Sequence, residues 1–238
     1  LGVSDAVTPD ARIVSAVEVP LNACLTGFAK PIASSQIVFA TDRGSATVLG
    51  VRTAETNGGN LVADSFIHAY NTRAAGASLP AAGSANPVVA LQNSGGIRQN
   101  GGVTLPTSGA VGAISRGNTF DLLPFDNRLV AITSVSAANI KEILERSCSV
   151  GTSGGGQFLQ VAGMKVTCSR AGTAIVVSNP TGDSYAGSVT TAGARVKDVT
   201  LLDGRALVKD GAVVANAPAV TVVTNNFTAE GGDNYPTL

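Results

Sequence analysis

The 238 residues carry 16 basic and 16 acidic side chains, a formal charge of zero, and 44% apolar residues, enough for one sizeable core or two small domains. No cluster of Lys and Arg interleaves with aromatics, which excludes the electrostatic footprint of a nucleic-acid polymer binder. No apolar run approaches the roughly 20 residues of a membrane-spanning helix, and the start, Leu1-Gly2-Val3-Ser4-Asp5, has no initiator Met or basic-then-apolar leader, so the chain reads as an excised fragment.

From Asp10 to Phe28 the apolar residues Ile13, Val14, Val17, Leu21, Cys24, Leu25 and Phe28 recur at helical spacing and predict a packing helix, kinked or divided at Pro20. A second helix is expected after Glu55-Thr56-Asn57-Gly58-Gly59-Asn60, capped by Asn60, with Val62, Phe66, Ala69 and Tyr70 on one face. Residues 74–87 are Ala, Gly, Ser and Pro without periodicity and read as an exposed loop, followed by a buried strand at Val88-Val89-Ala90-Leu91. A strand from Arg128 to Ser134 precedes a helix that Ser136 can cap, with Ile140, Ile143 and Leu144 facing the core and Val135 stapled against Ile140.

Beyond Gly154-Gly155-Gly156 the pattern turns to strands: Phe158 to Thr167, Ile175 to Ser178, Val196 to Leu202, Ala206 to Lys209 and Ala219 to Thr224, with Asp203-Gly204 as a hairpin turn. Helices concentrated early and strands late predict an α+β fold instead of a repeating βαβ layout.

The chemistry is bounded by a shortage. His68 is the one histidine, so a two-metal site of the usual histidine and carboxylate kind cannot be assembled from these residues. At helical spacing from Asp64, His68 reads as a surface residue before it reads as half of a catalytic dyad. The segment Gly151-Thr152-Ser153-Gly154-Gly155-Gly156-Gln157 lacks the Lys-Ser/Thr ending of a phosphate loop, and Ser153 has no evident base to make it a nucleophile. Cys24, Cys148 and Cys168 are either buried free thiols or include a Cys148–Cys168 bridge across one short helix-to-strand connection.

Three segments bordering predicted strands carry more: Asn93-Ser94-Gly95-Gly96-Ile97-Arg98, Leu123-Pro124-Phe125-Asp126-Asn127, and the stretch from Asn225 to Pro236. In a chain with only 4% aromatics, Phe125 and Phe227 beside Asn, Asp and Gly offer apolar faces next to hydrogen-bonding groups, which suits a planar heterocycle bearing a sugar. Taken singly, each Phe also reads as an ordinary core residue.

Together with the stretch from Arg52 through Asn60-Leu61, which carries Glu55-Thr56-Asn57-Gly58-Gly59-Asn60-Leu61, and the segment from Gly156 to Gly163, these motifs resemble, in order, the C-terminal domain of the 5'-nucleotidase and UDP-sugar hydrolase family, from about Ile13 to the end. The resemblance implies one substrate-binding domain over residues 1–238 that holds a nucleotide or nucleoside. It implies a base sandwiched by Phe125 and Phe227, ribose hydroxyls on Asp233, a base contact from Asn127, phosphate held by Arg98 and Arg52 with Asn93 nearby, and close backbone approach at Gly95, Gly96 and Gly156. Asp126, where many members have Gly, and the Ala/Gly-rich insertion before Val88 depart from the family pattern. Asn226-Phe227-Thr228 matches a glycosylation acceptor but overlaps the proposed stacking loop.

No metal-ligand motif of the family's N-terminal metallophosphoesterase domain occurs here. The resemblance therefore implies a parent hydrolase, periplasmic, secreted or at the cell surface, whose absent N-terminal domain brings two divalent metal ions, while this fragment binds without cleaving and has no cofactor of its own. A UDP-sugar hydrolase, a 2',3'-cyclic-nucleotide phosphodiesterase and a non-catalytic surface module share this domain plan and stay open as alternatives.

Overall fold

The structure is a computed structural model and is described over residues 8–98, 112–178 and 187–236. The terminal residues Leu1-Gly2-Val3-Ser4-Asp5 lie outside the described residues.

The first helical run comprises α1 (Ala11–Ile13), a π-helical turn (Val14–Glu18) and α2 (Val19–Ala29). The change of winding falls immediately ahead of Pro20, which cannot donate the backbone hydrogen bond a regular turn requires. The run divides as its proline predicts, but it is not the packing helix its periodicity predicts. None of its residues is buried, and Ile13, Val17, Leu21 and Leu25 are all more than half exposed. Its contact with the rest of the fold is an edge-on pairing of Phe28 with Phe120, ring centroids 5.0 Å apart, with the Arg116 guanidinium over Phe28. Phe120 and Arg116 lie on the short helix α4, introduced below. An apolar stripe records what a helix could bury and says nothing of whether a partner surface stands opposite.

Strand β1 (Pro31–Ser35) leads to α3 (Asn57–Arg73). This helix starts four residues earlier than its sequence suggests. The Thr56 hydroxyl, on an extended residue, accepts from Gly59 N and is the true cap, while Asn60 sits inside the first turn and donates to Glu55. Val62 and Tyr70 are buried and Phe66 and Ala69 half-buried, as the 3.6-residue period requires, and His68 and Asp64 face outward. The connection after α3 is tied down by Tyr70, whose hydroxyl donates to Pro80 O at 2.5 Å.

The centre of the molecule is a mixed four-stranded sheet. Strand β2 (Val88–Asn93) runs parallel to the last strand of the chain, β12 (Val220–Asn225), while β4 (Leu129–Val135) flanks β12 and β5 (Leu159–Ala162) flanks β2, both antiparallel. Between them in sequence, β3 (Gly112–Ser115) pairs with β1 and leads into α4 (Arg116–Leu122). Alternation sets the two faces. Val89, Leu91, Val220 and Val222 pack toward α5 (Ala137–Cys148), and Val88, Ala90 and Val223 pack toward α3. Helix α5 starts at the Ser136 cap and buries Ile140, Ile143 and Leu144 as expected, and Val135 joins the same cluster.

The stretch predicted as one strand from Phe158 to Thr167 is two. It breaks at Gly163, whose φ of +79° a side chain would strain, and the chain passes from β5 in the mixed sheet to β6 (Met164–Cys168) in a second, antiparallel sheet. The short pair β7 (Val176–Val177) and β8 (Val189–Thr191) precedes β9 (Val196–Leu201), β10 (Ala206–Lys209) and β11 (Ala212–Val213). The second sheet runs β11-β10-β9-β6, and its Val196, Val199, Leu201, Leu207 and Val208 close on α5 from the side opposite the mixed sheet. The β9–β10 turn is Asp203-Gly204, with Gly204 left-handed. The α+β class stands.

Cys148, at the end of α5, is bridged to Cys168, at the end of β6, with Cα atoms 6.1 Å apart, and Cys24 is a free, exposed thiol. Of the two readings left open for these cysteines, the bridge is the one observed.

Candidate functional site

Sheet topology gathers the site. Because β2 and β12 are parallel, the residues that follow them, Asn93 to Arg98 and Asn226 to Tyr235, emerge at the same edge. Because β4 and β5 run the other way, the residues that precede them, Phe125 with Asn127 and Gly156, arrive at that edge too. Carboxyl ends of parallel strands are where open sheets hold ligands. The result is a cavity of about 480 Å³ lined by Arg52, Asn93, Gly95, Gly96, Arg98, Phe125, Asn127, Gly156, Phe227 and Asp233. All ten residues singled out from the sequence therefore meet in one place, and Phe125 and Phe227 keep 49% and 42% of their surface exposed instead of filling the core.

Buried amides frame the floor. Asn225, the last residue of β12, donates to Gln92 Oε1 and to Asn93 Oδ1, both at 3.0 Å, and its own Oδ1 caps the one-turn helix α6 (Asn226–Ala229) by accepting from Thr228 N. Asn93 Nδ2 donates to Asp233 Oδ2 at 2.9 Å, which ties the two glycine-rich loops across 140 residues of sequence. Gly95 N donates to Gly156 O at 2.8 Å, and the Ser94 hydroxyl donates to Gly155 O. The Arg52 turn is held by Gln160, whose Nε2 donates to Val51 O and Ala54 O, and by Gly155 N on Arg52 O. Asn226 Oδ1 accepts from Arg128 N, so the side chain of the glycosylation-like triplet is engaged in the fold.

The cavity is electropositive. Burial first, then the charges of Arg43 and Arg98, push the Arg52 guanidinium below its ordinary pKa, while Asp233 opposes them. Burial and then Arg43 do the same to Arg98, again opposed by Asp233. Both remain cations at neutral pH, and Arg52 Nε is buried without a hydrogen-bond partner among the described residues. Two guanidiniums beside one carboxylate, with the charge of Arg43 added to theirs, make a place where an anion relieves mutual repulsion. Arg98 also stands 4.9 Å from the centre of the Phe125 ring, a cation–π pair that joins two residues assigned separate roles from the sequence.

Sequence reasoning missed Arg43, Arg146 and Gly232. Arg43 sits in no motif and is felt only through space. Arg146 reads as a polar position on α5, and Gly232 hides in the glycine pair before Asp233. His68 lies on the outer side of α3, away from the cavity lining, and among the described residues no group of three or more His, Cys, Asp or Glu side chains is gathered.

Comparison with known proteins then decides the family. The model of the 5'-nucleotidase C-terminal domain matches residues 35–238. The chain belongs to the 5'-nucleotidase C-terminal domain family. The match begins at the end of β1, so the solvent-exposed helical run, which the resemblance read from the sequence includes, lies ahead of it.

Among curated relatives of this 5'-nucleotidase C-terminal domain, the trifunctional nucleotide phosphoesterase YfkN of Bacillus subtilis (strain 168) is 32% identical over 185 residues, 78% of this chain and 10% of the relative. Protein 5NUC of Lutzomyia longipalpis is 30% identical over 183 residues, 76% of this chain and 27% of the relative. Among solved structures, the 5'-nucleotidase precursor of Thermus thermophilus superposes with a TM-score of 0.61 at 27% identity, over 97% of this chain and 36% of that one. The NAD nucleotidase of Haemophilus influenzae shares the fold, with a TM-score of 0.53 at 15% identity over 95% of this chain and 33% of that one. The chain thus spans about a third or less of the relatives it matches. The first three are named as nucleotidases or nucleotide phosphoesterases or, for 5NUC, by an abbreviated name only.

Proposed function

We propose that this chain is the nucleotide-recognition domain of a 5'-nucleotidase-type phosphoesterase, a single domain that selects the substrate for a metal-bearing N-terminal domain elsewhere in the polypeptide. The observation that carries the reading is the cavity itself. Two half-exposed phenylalanines, the two guanidiniums of Arg52 and Arg98 and one carboxylate open onto about 480 Å³, within the range of small-molecule sites. A base would stack between Phe125 and Phe227, with Asn127 at its edge and the ribose hydroxyls on Asp233. Arg98 and Arg52 would take the phosphate oxygens in bidentate fashion, near Asn93, and the small residues Gly95, Gly96 and Gly156 would let the ligand approach the backbone.

The donor set here does not suit a pair of catalytic metals, since the cavity offers Asp233 and amides against several cations. In this reading the two divalent ions that would activate water for phosphate release are brought by the proposed N-terminal domain, and this chain binds and orients. The Cys148–Cys168 bridge supports an oxidising location, periplasmic, secreted or at the cell surface.

Calorimetric titration with AMP tests the reading. Binding is expected, and Phe227→Ala is expected to weaken it roughly fivefold to a hundredfold, the worth of one base–aromatic stack. Incubation of the protein with AMP and Mg²⁺ or Mn²⁺ is expected to release no phosphate. Metal-dependent turnover, or no binding at all, overturns the assignment of roles.

A further inference from the structure

Asp233 occupies a backbone conformation that it does not hold by itself. Its φ is +60° and that of Asn234 is +59°, and two successive non-glycine residues in the left-handed region are uncommon. The carbonyl of Asp233 accepts two hydrogen bonds from one guanidinium, from Arg146 Nε at 3.0 Å and from Nη2 at 2.8 Å. Its carboxylate is tethered by one oxygen only, Oδ2, to Asn93, which leaves Oδ1 without a protein partner among the described residues at the cavity wall. Arg146 itself does not line the cavity.

The guanidinium is mounted on a fixed base. It projects from the last turn of α5, where the Ser147 hydroxyl accepts from Leu159 N, Arg195 Nη1 donates to the carbonyls of Cys148 and Ser149, and Cys148 is bridged to Cys168. Downstream of Asp233, Tyr235 is buried and its hydroxyl donates to Gln157 O. We propose that Arg146 is the positioning residue that aims the free oxygen of the Asp233 carboxylate into the cavity, so that it sets the protein's preference for ligands with sugar hydroxyls without touching the ligand. The chemical class so selected is ribonucleotides over nucleotides that lack 2'- and 3'-hydroxyls. The inference rests on reading Asp233 as the sugar ligand.

The test compares dissociation constants for AMP and for 2',3'-dideoxyadenosine 5'-monophosphate by calorimetry, in the wild type and in Arg146→Met, Arg146→Lys and Asp233→Ala. The wild type is expected to prefer AMP about tenfold or more, as for a hydroxyl paired with a charged acceptor. Asp233→Ala should bring that ratio close to one. Arg146→Met should do the same while leaving affinity for the dideoxy ligand unchanged, and Arg146→Lys, with its charge kept, should restore part of the preference. The double variant of Arg146→Met and Asp233→Ala should lose nothing more than Asp233→Ala alone. A wild-type ratio in Arg146→Met, or equal weakening of both ligands, overturns the proposal while the reading of the site stands. A ratio unmoved by Asp233→Ala removes the sugar assignment, and the proposal with it. Should Arg146→Met not fold, Arg146→Gln replaces it and is judged by the same ratio.

Discussion

A Cβ at position 232 would stand 2.5 Å from Cε1 and Cζ of Phe227, closer than real side chains approach. Gly232 is therefore the seat of one aromatic wall of the cavity. Gly232→Ala is expected to turn the Phe227 ring out of place and to weaken AMP binding by about tenfold, approaching the loss in Phe227→Ala. Calorimetry checks the affinity, and a thermal midpoint close to wild type would show that the ring rather than the fold has been disturbed. The sequence makes Phe227, Asp233 and the adjoining glycines conspicuous through the residues that surround them. It does not say that one glycine exists for the ring five residues earlier, because that contact arises only when the chain turns back after α6.

Strand β5 illustrates how one element serves both stability and the site. Its Gln160 is fully buried, donates to Val51 O and Ala54 O, and accepts from Thr56 N through Oε1, so one amide fixes both the Arg52 turn and the start of α3. Gln160→Leu would leave those backbone groups without partners in a dry interior, at about 1–3 kcal/mol for each group not reached by water. The expected outcome is a loss of at least about 2 kcal/mol in denaturant unfolding, together with weaker AMP binding as Arg52 is released. The sequence misplaces the start of α3 for a related reason. Thr56 and Asn60 are both good caps by type, and which one closes the helix is decided by the extended backbone at Thr56, which β5 holds from outside. The division of β5 from β6 is equally hidden, since Gly163 reads as one glycine within a continuous apolar run.

Across the whole molecule, α5 is clamped between two sheets and stapled to the second by the Cys148–Cys168 bridge, which spans 20 residues. Closing a loop of that length restricts the unfolded chain and contributes about 3 kcal/mol. The double substitution Cys148→Ser with Cys168→Ser is expected to lower unfolding stability by that order. A thiol reductant should lower the wild type similarly, provided it opens the bridge, and leave the double variant unmoved; equilibrium denaturation under both conditions checks this. The exposed helical run lies at the other extreme. Its stripe of Ile13, Val17, Leu21 and Leu25 has helical period and no surface to meet among the described residues, so periodicity predicts the helix correctly and its burial wrongly.

Local sequence determined what local physics controls: the helix and strand periods, the Ser136 cap, the Asp203-Gly204 turn and the composition of each site loop. The resemblance of five ordered motifs selected the ten cavity residues. Tertiary structure alone decided that those loops meet, because the parallel pairing of β2 with β12 and the reversed direction of β4 and β5 bring segments up to 140 residues apart to one edge. It also decided the hydrogen bonds of Arg146 to the Asp233 carbonyl, the close approach of Gly232 to Phe227 and the reach of the Arg43 charge to Arg52 and Arg98, all of which run through space instead of along the chain. Charge and steric contact depend on distance in the folded molecule, and a sequence read residue by residue does not contain that distance.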